Sequence, residues 1–183
     1  MAKANASPRI SVDFSDYSAP DYTLTPGYYP VTVIGTTLSR SPKWYDEELG
    51  EGDPTFVGVY RLELSLAIDD ETSKFNGRKL RFGVDVYSSD AVRNEFHLRT
   101  SAKGNPYDAR GFFIEALRAL DIDPETFAGF ETDDASELIN MSCVAHVEVQ
   151  VTDDVDPETG DLKKYPRVKK LVKRREGEFD PYK

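Results

Sequence analysis

The chain has 183 residues, one cysteine, two histidines and a formal net charge of −10. That length predicts one domain with a core that needs no metal or disulfide staple. Cys143 has no cysteine to pair with, and with only His97 and His146 beside it no Cys/His zinc set can be assembled, so a reducing cytosol is the expected compartment. No apolar run reaches the ~18 residues of a membrane span, and residues 1–7 carry no apolar signal region.

Residues 1–26 are rich in Ala, Ser, Pro and Asp and sustain no period, which predicts an extended or disordered arm. After the Pro26-Gly27 turn signal, Tyr28–Leu38 reads as a first strand, with Gly35 marking a bulge. Ser39–Thr55 reads as a loop. It combines an acidic run with the cations Arg40 and Lys43 and the aromatics Trp44 and Tyr45. Phe56–Asp69 alternates strictly: Tyr60, Leu62, Leu64, Leu66 and Ile68 fall on one face, Arg61, Glu63 and Ser65 on the other. The Asn76-Gly77 turn signal leads into Lys79–Tyr87, which alternates again, so the second and third strands form an antiparallel hairpin.

Ser88–Asp108 is polar and irregular. Ala109–Ile122 reads as a helix with Asp108 as its N-cap and Phe112, Phe113, Ala116, Leu117 and Leu120 as its apolar residues. Residues 124–140 are acidic, with one short helical turn. Met141–Thr152 reads as a fourth strand with Cys143, Ala145, Val147, Val149 and Val151 inward. Asp153–Leu162 is a turn segment and Tyr165–Arg175 a fifth strand. The order β-β-β-α-β-β predicts a mainly β fold: a five-stranded OB-like Greek-key barrel over residues 27–175, with one helix between strands three and four. Residues 176–183 form an acidic, aromatic tail.

The charge is unevenly spread. Residues 161–175 carry eight basic side chains against Asp161 alone, a net of +7, while residues 1–160 carry −15. A basic strand on an acidic body points to a polyanionic partner, although lysines also protect exposed edge strands. Single-strand binders pair a positive groove with aromatic stacking faces. On an OB barrel the expected surface is the outer face of strands two and three with the adjoining loops. The candidate nucleic-acid-binding residues are therefore Arg61, Lys79, Arg81 and Tyr87 on that face, and Arg40, Lys43, Trp44 and Tyr45 in the first loop. Arg99 and Lys103 come from the irregular segment, with Phe96 and Tyr107 as possible aromatic neighbours, and Lys163, Lys164, Tyr165, Arg167, Lys169 and Lys173 from the fifth strand. The plainer reading makes these charges solvated decoration, and Glu63, Asp85 and the acidic segments oppose phosphate binding.

No nucleotide-binding, serine-hydrolase or metalloprotease motif occurs, so no catalytic residue, metal or cofactor is expected. Cys143 and His146 lie three apart on a strand and so point to opposite faces, which makes Cys143 a small core residue. Asp154-x-Asp156-x-Glu158 imitates a calcium loop, but the glycine is one position late and Tyr165 stands where the final glutamate belongs.

Four segments stand in a telling order: Gly27-Tyr28-Tyr29-Pro30-Val31-Thr32-Val33, Gly77-Arg78-Lys79-Leu80, Ala116-Leu117-Arg118-Ala119-Leu120-Asp121-Ile122 and Tyr165-Pro166-Arg167-Val168-Lys169-Lys170. Over about residues 24–172 the chain resembles small single-stranded DNA-binding-like proteins of bacteriophage replication and recombination cassettes. The resemblance implies an OB-like barrel, single-stranded DNA as partner, a neighbouring recombinase or replication enzyme, the host cytoplasm as location, and no catalytic residues. This chain departs from that pattern in the acidic insertion after Trp44 and in Asp121, where the helix usually ends in glycine. Residues 178–182 faintly resemble the acidic, aromatic-tipped end of bacterial single-strand-binding proteins. The alternative reading is an acidic protein-interaction or virion structural module, with self-assembly through the fifth strand as a variant.

Overall fold

The computed structural model describes residues 24–41, 58–155, 157, 160 and 162–174. Residues 1–23 of the predicted arm, the Lys43-Trp44-Tyr45 group and the C-terminal tail lie outside the described residues. The end of the arm is corrected, because the apolar Leu24 is fully buried in the core.

Five strands form one antiparallel sheet: β1 (Gly27–Arg40), β2 (Val59–Ile68), β3 (Lys79–Tyr87), β6 (Ser142–Val155) and β7 (Leu162–Val172), in the order β3-β2-β1-β6-β7. Three successive antiparallel strands with a fourth returning beside the first make a Greek key. The expected β2–β3 hairpin is present, with Leu62, Leu64 and Leu66 buried opposite Val84, Phe82 and Leu80 on β3. Its connection turns at Gly77, whose φ of 75° is one that glycine adopts freely. β1 is central: Gly27–Thr32 pair with β6, and Val31–Arg40 with β2. The ladder to β2 slips between Val33 and Gly35, so the bulge expected at Gly35 exists and Ile34 is its extra residue.

Two differences concern the middle of the chain. The segment expected to be irregular holds a short helix, α1 (Ser89–Arg93), and a small hairpin of β4 (Leu98–Thr100) and β5 (Pro106–Asp108). Strands of three residues are too short to show a period. The main helix, α2 (Arg110–Ala119), starts later than expected. Its N-cap is Ala109, and Asp108 closes β5, although its Oδ1 still accepts the Arg110 N–H at 2.9 Å. The helical turn predicted within 124–140 is a 3-10 turn at Ser136–Leu138.

β6 runs three residues past its predicted end, and β7 begins and ends three residues before its predicted bounds. The β1 ladder stops at Gly27–Val147, so β6 beyond that point pairs only with β7 and the two form a ribbon. This corrects the inward assignment of Val151, which is 51% exposed because the ribbon extends past the core. The core fills the concave side of the sheet under α2, with Ala116, Ala119, Leu120 and Leu138 against Val31, Leu64, Cys143, Ala145, Val147 and Leu171. Edge strands β3 and β7 approach each other, and α2 packs against both. Among the described residues no ladder joins β3 to β7, so hydrogen bonds do not close the expected barrel there.

Candidate functional site

The gap between the two edge strands is a cleft of about 330 Å³. β2 contributes Arg61, β3 contributes Gly83, Asp85 and Tyr87, and β7 contributes Arg167, Lys169 and Lys170. Arg99, Tyr107, Phe112 and Glu115 come from β4, β5 and α2, and Phe82, Val84, Ala116 and Leu171 line its base. Five cations thus meet two carboxylates in one depression, on a chain whose total charge is −10.

Strand alternation sends the β2–β3 residues there. The apolar even positions from Leu62 to Ile68 and from Leu80 to Val84 are buried, which leaves Arg61, Gly83, Asp85 and Tyr87 on the other face. Arg61 stands opposite Asp85 in the ladder, and its Nη1 donates to Asp85 Oδ1 at 3.0 Å. The guanidinium passes over Gly83: a Cβ there would lie 2.4 Å from Nη2 and 2.8 Å from both Cζ and Nε. Only glycine allows so close an approach.

On β7 the ladder runs from Val147–Val168 to His146–Lys170, so Lys169 is inserted as a bulge residue. Arg167, Lys169 and Lys170 all reach the cleft as a result. Lys169 donates to Glu148 Oε1 at 2.6 Å, and that bond holds the Glu148 carboxyl below its usual pKa. Arg167 Nη1 donates to Gln150 Oε1 at 3.5 Å. Arg167 and Lys169 also line a second, shallower depression with Glu148, Val149 and Gln150, so the basic surface continues from the cleft onto the ribbon.

The aromatic groups sit on the opposite side. The Arg99 guanidinium lies 5.9 Å from the Tyr87 ring centroid, and His97 meets that ring edge-on at 6.4 Å. Burial pushes the Tyr87 hydroxyl pKa above its ordinary value, and the Arg99 charge opposes the shift. Tyr107 and Phe112 pack edge-to-face at 6.1 Å, yet are 40% and 58% exposed. Large rings left in water at the mouth of a basic cleft are available for stacking.

Of the residues predicted from sequence, Arg61, Tyr87, Arg99, Arg167 and Lys169 converge here. Lys79 and Arg81 are exposed on the first part of β3, Arg40 ends β1, and Lys103 lies in the β4–β5 turn, all off the cleft lining. Lys163, Lys164 and Tyr165 lie on the ribbon. Lys173 is engaged with Asp121 at the end of α2. Sequence reasoning missed Gly83, Lys170 and Phe112. Phe112 was assigned to the apolar helix face, but Phe113, Ala116, Leu117 and Leu120 already complete an i, i+3, i+4, i+7 stripe, and Phe112 falls outside it.

Cys143 is fully buried, and burial pushes its thiol up to about 12. No group of three or more His, Cys, Asp or Glu side chains that could hold a metal occurs among the described residues. Nor is any described helix long and apolar enough to cross a membrane. No family model and no curated protein matches the sequence.

Proposed function

We propose that this protein is a non-catalytic single-stranded DNA-binding protein that holds the strand in the β3–β7 cleft. The observation that carries the reading is the convergence of Arg61, Arg99, Arg167, Lys169 and Lys170 with Tyr87, Tyr107 and Phe112 on an otherwise acidic chain. Cations along a groove beside stackable rings are what an unpaired strand requires. The Greek-key strand order, with a helix packed at the seam, supports an OB-like barrel left partly open between its edge strands. The β6–β7 ribbon then stands where such folds use the loop between their last two strands. The sequence resemblance supports bacteriophage replication or recombination as the setting, beside a recombinase or replication enzyme.

Residues 119–162 contain thirteen acidic side chains and no Lys or Arg. That stretch favours a second reading, in which the acidic side docks a basic protein. Titrating a labelled thymidine oligomer by fluorescence anisotropy at low and moderate salt decides between them. A salt-sensitive rise supports the DNA reading, and quenching of Trp44 in the same titration extends the contact to the chain around Trp44. No rise at any salt sinks it and leaves the protein-docking reading.

A further inference from the structure

We infer that the cleft accepts an unstacked nucleobase and that the Arg61 guanidinium is the plane on which the base stacks, rather than a contact to phosphate. The inference rests on the proposed binding reading and specifies its ligand: a strand with exposed bases, not a polyanion in general.

Three observations on Arg61 support it. Its charge is already engaged, because Nη1 donates to Asp85 at 3.0 Å. The bond takes one edge of the guanidinium fork, and the Asp85 carboxylate beside it repels an approaching phosphate. One side of the group is covered, since Nη2, Cζ and Nε all come within 2.8 Å of where a Gly83 Cβ would be. The side chain nevertheless lines the cleft and is 35% exposed. With one face on the strand and one edge on Asp85, the surface left to the cleft is the opposite face of a planar cation. Arginine planes stack on bases, whereas the point charge of lysine does not replace them. The cleft volume falls within the range of small-ligand pockets, roughly 300–1,000 Å³. Lys170, and Arg167 with only the neutral Gln150 amide at 3.5 Å, stand along β7 beside the Glu148-paired Lys169, where a backbone could run while its base turns toward Arg61.

The test compares wild type, Arg61→Lys and Gly83→Ala on two labelled oligomers of equal length, one of thymidine and one of abasic sites, with salt titrations and a thermal melt of each protein. Arg61→Lys keeps the charge and removes the plane. Gly83→Ala keeps the arginine and displaces it. The inference expects both variants to bind thymidine roughly tenfold or more weakly, the loss typical of one stacked base. It also expects wild-type affinity for the abasic strand and an unchanged salt slope. Wild-type binding of thymidine by Arg61→Lys, or an equal loss on both oligomers, overturns the inference while leaving the binding reading intact. Failure of wild type to bind either oligomer overturns both.

Discussion

Val168 and Leu171 stand three positions apart on β7, yet both are buried in the same core. A regular strand would send them to opposite faces. The inserted Lys169 reconciles them, because Val168 pairs with Val147 and Lys170 with His146 while Lys169 is skipped by the ladder. The bulge therefore does two things at once: it keeps the apolar residues in phase and adds a cation to the cleft rim.

Deleting Lys169 should consequently leave the fold intact. The deletion makes Val168 and Leu171 two positions apart in a regular ladder, so the register on both sides survives. A loss of about 1–2 kcal/mol or less in urea unfolding is expected. Deleting Arg167, which has a ladder partner in Glu148, shifts the ribbon pairing by one residue and should cost considerably more. Equal losses for the two deletions would show that the bulge does not set the register.

Lys170 and Lys173 should differ in binding although both belong to the basic segment. Lys170 lines the cleft, while Lys173 is turned to Asp121. Lys170→Ala is expected to reduce the slope of log affinity against log salt by roughly 0.7, the amount for one phosphate contact on a single strand. Lys173→Ala should leave that slope unchanged. A matching reduction in both would mean that net charge, not position, governs binding.

The thiol of Cys143 predicts a specific alkaline weakness. Burial raises its pKa from 9.0 to about 12, so the folded state holds the proton more tightly than the unfolded state. The associated stability is complete below pH 9 and is lost as pH rises from there toward 12. The loss is about 1.4 kcal/mol per pH unit within that window. Cys143→Ala should remove this component, so its unfolding free energy should fall less steeply between pH 9 and 11 than that of wild type. Parallel pH profiles for the two proteins would contradict the assignment.

Much of this was legible in the residues, for reasons that differ by element. Alternation in Phe56–Asp69 and Lys79–Tyr87 predicts the hairpin because one face of each strand is buried and the other is wet. Gly35 marks a bulge for the same local reason. Cleft membership was legible from strand parity for Arg61 and Tyr87, and from the density of basic residues for Arg167 and Lys169. Lys79 and Arg81 share that parity but lie farther down β3, a distance no period reveals. Phe112 enters the cleft because β7 and α2 meet there, and that is a tertiary fact. Gly83 matters only through a side chain on the neighbouring strand.

Asp121 offers the sharpest link between a sequence oddity and backbone geometry. The helix α2 ends in a Schellman motif: Ile122 N–H donates to Leu117 O at 2.9 Å and Asp121 N–H to Arg118 O at 3.2 Å. That motif places Asp121 at φ 64°, where glycine is the unstrained choice. Aspartate tolerates the left-handed region better than most residues, and here its carboxylate also meets Lys173. Replacing it with either glycine or alanine loses the ion pair, so the difference between those two variants isolates the backbone. Asp121→Gly should be more stable than Asp121→Ala by about 1 kcal/mol, read as a melting-temperature gap of roughly 2–4 °C for a chain of this size. An alanine variant as stable as the glycine one would mean that the helix end relaxes out of the left-handed conformation.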